Sequence, residues 1–308
     1  MTTFLVTGGA GFIGSHIVEA LVAEGASVRV LDNLSTGHEE NLAQVRDRIV
    51  FCRGDVRKAL QGCDHVLHQA ALASVPRSMD DPAATHAANA TGTLHVLDEA
   101  RRMGVERVVL ASSSSVYGDT ETLPKTETMP LAPISPYAAS KCATEVYGHA
   151  WWRAFGLPVV TLRYFNVFGP RQDPNSPYAA VVPRFVSAML AGRRPIIFGD
   201  GRQTRDFCYV DNVVRANLLA LRAPQAPGRV LNVASGRRIS LLDLVDHINR
   251  ILGTSIAPRF EPPRPGDVRD SLADVSRARA LLGYEAQVDV VEGLRRTVAW
   301  LRASHATA

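Results

Sequence analysis

A chain of 308 residues with 46% hydrophobic residues has room for one large α/β unit or two modest domains, and this composition is ordinary for a globular protein. No apolar run approaches the ~18 residues of a membrane span, so no membrane partner is expected. The formal net charge of +4 divides unevenly: residues 1–150 carry 12 Lys+Arg against 17 Asp+Glu, whereas residues 151–308 carry 22, all arginine, against 13. A planar guanidinium fork suits phosphate oxygens, so the second half fits an anionic ligand. Without a lysine-rich run or a basic stripe interleaved with aromatics, nucleic acid is not expected. Cys52, Cys63, Cys142 and Cys208 are scattered without metal-ligand spacing and read as reduced residues with no metal. The chain opens on a strand-like run and lacks the basic, apolar, small-residue order of a secretory signal, so a cytoplasmic location is expected.

The run Phe4-Leu5-Val6-Thr7 predicts a first strand over 3–7, and Gly8, Gly11 and Gly14 lie between it and a helical run that begins near Ser15. Glycines at a strand-to-helix turn allow a sharp bend and close approach of a ligand to the backbone. The helix N-terminus beyond them offers free N–H groups to a dinucleotide pyrophosphate. A second strand over 27–32 ends at Asp32, eighteen residues after Gly14. A carboxylate there accepts hydrogen bonds from an adenosine ribose and repels a 2′-phosphate, which favours NAD over NADP.

Strand-like runs continue at 49–53, 65–70, 107–112 and 158–164 with helices between them. This alternation predicts a doubly wound parallel sheet of the Rossmann type, with ligands beyond the carboxyl ends of the strands. After about residue 170, proline, glycine and arginine become frequent in 170–177, 192–205, 224–238 and 258–269, around helices at 180–191, 211–222, 240–252 and 288–302. The expected division is an NAD-binding domain over 1–168, whose sheet is completed by a strand near 229–234, and a smaller substrate-binding lobe over 169–308.

Two stretches carry chemistry. Tyr137 and Lys141 stand four apart near the start of a helix, so the ammonium can sit beside the phenol and favour the phenolate. Ser112-Ser113-Ser114-Ser115 follows the strand ending near 110 and offers hydroxyls where cofactor and substrate should meet.

Together, Thr7-Gly8-Gly9-Ala10-Gly11-Phe12-Ile13-Gly14, the serine segment before Tyr117-Gly118, and Tyr137-x-x-x-Lys141 resemble the extended short-chain dehydrogenase/reductases, specifically the nucleotide-sugar epimerases of the UDP-glucose 4-epimerase type. The resemblance extends to His68-Gln69-Ala70-Ala71, Asn89-Ala90-Thr91-Gly92-Thr93, Tyr164-Phe165-Asn166-Val167-Phe168-Gly169-Pro170-Arg171 and Arg264-Pro265-Gly266-Asp267. It implies that Gly8, Gly11, Phe12, Ile13 and Gly14 line the pyrophosphate, Asp32 and Asn33 the ribose, and Asp55 and Val56 the adenine, with Ala70, Ala71 and Asn89 also at the cofactor. It implies Tyr137 as base, Lys141 as the group that lowers its pKa and holds the nicotinamide ribose, and Ser113 as their catalytic partner. Ser114, Asn166, Arg171, Arg205, Arg264 and Asp267 are implied at the sugar nucleotide.

The reaction so implied is C4 epimerisation of a UDP-hexose through a 4-keto sugar, with NAD retained. Sugar 4,6-dehydratases carry an Asp-Glu pair where Ser114 and Ser115 stand, and UDP-glucuronate decarboxylases a glutamate at Ser115, so both are disfavoured. Ser271 aligns with a position that a bulky tyrosine fills in some relatives, and its small side chain leaves space for a 2-acetamido group. UDP-GlcNAc/UDP-GalNAc are therefore expected as substrates beside UDP-glucose/UDP-galactose. UDP-glucuronate is the alternative substrate, and a non-catalytic NAD-binding regulator is the reading from another class. Relatives are commonly homodimers, which points to helices 84–103 and 137–155 and to Trp151 and Trp152 if exposed. Ala73 departs from the family where some relatives place a lysine against the cofactor.

Overall fold

The computed structural model describes residues 2–54, 59–174, 179–263 and 268–306. Seven parallel strands form the central sheet: β1 (Thr3–Thr7), β2 (Ser27–Leu31), β3 (Ile49–Cys52), β4 (His65–His68), β5 (Arg107–Ser113), β6 (Val159–Tyr164) and β7 (Val230–Val233). Their order is β7-β6-β5-β4-β1-β2-β3. The interior strands are covered on both faces and read as continuous apolar runs; every residue of β6 is buried. The order reverses between β1 and β4, where Thr7 pairs with His68. Ligands of an open parallel sheet collect at that crevice.

Helix α1 (Phe12–Ala23) buries Ile17, Val18, Leu21 and Val22 against the sheet. The expected helix over 84–103 is a composite: Pro82–His86, a π-helical turn Ala87–Thr91, and α2 (Gly92–Arg102). The wider turn carries Asn89 inward, where its side chain pairs with the backbone of Leu72.

Helix α3 (Pro136–Phe155) has clear local causes. Ser135 caps it by accepting from the Ala138 N–H, Pro136 pre-sets the first turn, and Gly156 ends it in the left-handed conformation at φ 69°. A Cβ on its Gly148 would lie 2.8 Å from Leu110 Cδ1, so that glycine lets the helix settle closely on β5. Trp151 packs partly buried against the core, and the Trp152 ring lies directly beneath Gly228.

The remaining chain forms a lobe of three two-stranded sheets with helices α4 (Val181–Leu190), α6 (Leu241–Leu252) and α7 (Val290–Ala306), while α5 (Val210–Arg222) packs beside α1 on the central sheet. One apolar cluster runs unbroken from Val6 and Val30 through Phe168 and Phe207 to Leu294 and Leu301, so the lobe shares its core with the sheet. At the seam the fully buried Asp206 carboxylate accepts from the Ser235 N–H and hydroxyl and from the N–H groups of Gly236 and Ala273. Losing it strands several buried donors at once. We expect Asp206→Ala to lower stability by about 3 kcal/mol or more, read as a fall in the urea midpoint with an unchanged slope.

Candidate active site

The glycine turn is tightly determined. Gly8 sits at φ +67° and donates to the Leu31 carbonyl at 2.8 Å, and a Cβ on it would lie 2.6 Å from the Ala70 nitrogen. A Cβ on Gly14 would meet the Gly8 carbonyl oxygen at 2.1 Å. Any side chain at either position would push α1 or the 69–73 loop away. Gly11 caps α1 without a side chain, leaving the helix's first N–H groups for an anion. The Asp32 carboxylate accepts from the N–H groups of Ala10 at 3.0 Å and Leu34 at 2.8 Å, which fixes it at the end of β2. Gly8, Gly11, Phe12, Ile13, Gly14, Asp32, Asn33, Ala70, Ala71 and Ala73 all line one cavity of about 1400 Å³. A slot over a helix N-terminus, where Cβ atoms would fill the turn and a carboxylate waits at the next strand end, fits a dinucleotide.

The same cavity takes in Ser113, Ser114, Tyr137 and Lys141. Ser113 hydrogen-bonds the Tyr137 phenol. Its Oγ also accepts from the Ser115 N–H at 3.2 Å and the Ser115 hydroxyl at 3.0 Å, leaving its own proton for the phenol oxygen. The Lys141 ammonium donates to the Ala111 carbonyl at 2.8 Å; burial lowers its pKa to about 8, and Glu145 opposes that shift. Burial pushes the Tyr137 pKa up, and the opposing influence is the Ser113 hydrogen bond.

Behind these groups lie further polar residues: His68 and Thr93, named in the sequence only as parts of family-like motifs, and Glu145, Arg163 and Asn232, which the sequence reading did not single out. Thr93 donates to the Asn89 carbonyl at 2.6 Å, so at 3.1 Å it accepts from His68 Nε2, and His68 Nδ1 accepts from the Thr7 hydroxyl at 2.7 Å. His68 is a buried neutral ring that ties β4 to β1 and to the first turn of α2. Burial, then the Lys141 charge, lowers its pKa to about 3. Glu145 accepts from Ser112 at 2.6 Å and from Arg163 Nε and Nη2 at 2.8 and 2.7 Å. Arg163 lies over the Tyr117 ring at 4.7 Å, and the Tyr117 hydroxyl donates to Asn232 at 2.6 Å. The available signal was positional: Glu145 follows Lys141 by four on the buried face of α3, and Arg163 interrupts an apolar strand.

Two expected contacts move. Asn89 does not line the cavity; its amide pairs with the Leu72 backbone and Ser140, so it holds the cofactor loop against α3 from behind. Arg171, at φ +68°, does not line the cavity; its guanidinium donates to Ser15 at 3.2 Å and pairs with Glu19, both on α1. Asn166, Arg205 and Ser271 do line the cavity. Asn166 donates to the Asp206 carbonyl at 3.2 Å, and Arg205 donates to the carbonyls of Thr204 and Arg269. Asp55, Val56, Arg264 and Asp267 lie outside the described residues. Among the described residues no cluster of three potential metal ligands occurs, and no helix is long and apolar enough to cross a membrane.

A dinucleotide cradle opening onto a serine, a tyrosine and a lysine defines a nucleotide-dependent α/β enzyme of the short-chain dehydrogenase type. The model of the NAD dependent epimerase/dehydratase family matches residues 4–234, and the chain belongs to that family. NAD is its cofactor. The UDP-glucose 4-epimerase of Mycolicibacterium smegmatis is 43% identical over 308 residues, covering 97% of this chain and 98% of that one. A dTDP-glucose 4,6-dehydratase of Streptomyces griseus is 38% identical over 314 residues, covering 97% and 94%. The structure of the UDP-N-acetylglucosamine 4-epimerase from Methanobrevibacter ruminantium M1, in complex with UDP-N-acetylmuramic acid, superposes with a TM-score of 0.94 at 40% identity, covering 98% of this chain and 99% of that one.

Two outcomes test the buried polar layer. Glu145→Gln leaves the Arg163 cation without its counter-charge and is expected to cost about 3–5 kcal/mol, measured by chemical unfolding. The folded-state pKa of His68 lies below its unfolded value of 6.5, so protonation favours unfolding. Stability is full above about pH 6.5 and falls progressively toward pH 3, by on the order of 4 kcal/mol. In His68→Gln that portion of the pH dependence should be missing.

Proposed function

We propose that the protein interconverts the C4 epimers of UDP-hexoses, UDP-glucose with UDP-galactose and UDP-GlcNAc with UDP-GalNAc, using NAD that it retains through the cycle. The observation carrying this reading is the hydrogen-bonded Ser113–Tyr137 pair in a cavity with no carboxylate in its serine segment. The carboxylates lining the described cavity are Asp32, at the ribose end, and Asp173. Water elimination needs an acid and a base beside the sugar, whereas epimerisation needs only one group that takes and returns a proton at O4.

Gly8, Gly11, Phe12, Asp32 and Asn33 hold the dinucleotide, and Lys141 stands at its nicotinamide end. When bound, NAD supplies a reversible acceptor for the hydrogen on C4. Tyr137 Oη removes the 4-hydroxyl proton, helped by Ser113 Oγ, which donates to the phenol oxygen and favours its ionised form. The same two groups return the proton once the keto sugar has presented its other face, a turn for which the cavity of about 1400 Å³ has room. Arg205, with its guanidinium propped by two carbonyls, faces the diphosphate that anchors the sugar during the turn.

The test is incubation of the purified protein with UDP-glucose, UDP-GlcNAc and UDP-glucuronate, each without added NAD, followed by chromatography of the products. Formation of UDP-galactose and UDP-GalNAc supports the proposal, whereas conversion of UDP-glucuronate alone assigns the site to an acidic sugar. Tyr137→Phe should reduce kcat by ~100- to 10,000-fold. We also propose a homodimer through α3 and the helical segment over 84–103, with Val146 (58% exposed) as an exposed apolar contact on α3. Trp151 and Trp152 are half-buried against their own chain and contribute less. Light scattering should return twice the chain mass.

A further inference from the structure

The chain has three lysines against 31 arginines, and two of the three, Lys125 and Lys141, line the same cavity. Lys141 belongs to the Tyr137 site, but the chemistry above leaves Lys125 without a task. Its backbone is clamped into the far wall: the N–H donates to the Leu272 carbonyl at 2.8 Å, and its carbonyl accepts from Asp274 at 2.9 Å. It pairs with Ala273, two residues from Ser271. The residue is 2% exposed, and its ammonium donates to the Thr120 carbonyl. Among the described residues it forms no ion pair, although the Asp119 carboxylate favours its charged form against burial.

An ammonium has three donors, and burying one with donors unspent is costly unless a ligand accepts from them. Ser114, Ser115, Gly118 and Ser271, all small, line the same cavity. We infer that Lys125 is a specificity-determining residue, donating to the acyl oxygen of a 2-acetamido group that occupies the space left by Ser271. This rests on the UDP-sugar 4-epimerase reading. A carbonyl oxygen accepts only and so complements a group that donates only, whereas a sugar hydroxyl is served equally by the serines of the cavity. Because Asp119 already supplies negative charge, the ammonium requires an acceptor more than a counter-ion.

The test compares kcat/KM for UDP-GlcNAc and UDP-glucose in the full-length protein and in Lys125→Met, which keeps the stem and removes the donors. The ratio in favour of UDP-GlcNAc should fall about tenfold to a hundredfold, the loss expected for a hydrogen bond to a charged group. Lys125→Gln, which restores an N–H donor, should recover part of that ratio and shows that the loss is not one of folding. An unchanged ratio overturns the inference, as does a loss that falls mainly on UDP-glucuronate, which would make Lys125 a carboxylate site. If the unmodified protein turns over none of these nucleotides, the reading of its function fails instead. Calorimetric affinities for UDP-GlcNAc and UDP-glucose then still decide the role of Lys125, since a preference that persists in Lys125→Met overturns it.

Discussion

The buried ion pair between Glu145 and Arg163 holds the catalytic geometry together. Glu145 joins α3 to β6 through Arg163 and to β5 through Ser112, one residue before Ser113. One turn earlier on the same helix, Lys141 grips the Ala111 carbonyl. Helix α3 is thus fastened to β5 at two successive residues, and Tyr137 can meet only the hydroxyl that follows them. Both partners are buried, so their attraction must offset the desolvation of two charges, and it does so through two direct hydrogen bonds and a serine on the remaining lone pair. The Tyr117 ring covers the guanidinium and passes the connection to Asn232 on β7.

A second polar layer does the same for the cofactor side. His68 bridges β1 and α2 at the point where the strand order reverses, and Asn89 fastens the Leu72 backbone to α3 through Ser140. The 69–73 loop at the cavity is therefore registered against the helix that bears Tyr137. Apolar packing alone is tolerant of small slides between helix and sheet, whereas these directional bonds are not. Asp206 extends the same device to the substrate lobe, anchoring the 235–236 and 273 backbones while its own carbonyl receives Asn166.

Much of this molecule was legible from the chain. The strands, the glycine turn, Asp32 and the Tyr137–Lys141 helix are local features, each announced by contiguous residues whose conformational preferences agree with one another. The differences have specific causes. Arg171 lies in a stretch that resembles a substrate loop, yet its guanidinium pairs with Glu19 of α1, a partner 152 residues earlier in the chain. Asn89 was legible as a polar position but not as one facing backwards, because the π turn that rotates it has no sequence signature. Four-residue spacing also placed Lys141 beside Tyr137 without revealing that the ammonium is taken up by a carbonyl of the neighbouring strand.

The sequence by itself determined the class of fold and the cofactor cradle, because short-range sterics and contiguous preferences suffice to build them, and it pointed to Ser113, Tyr137 and Lys141 through their likeness to a family. Only the tertiary structure decided which polar groups face the cavity and which are spent inside the protein. Glu145, Arg163, His68 and Lys125 are each assigned by partners that include residues on other elements, and a hydrogen bond between distant segments leaves no pattern in either one.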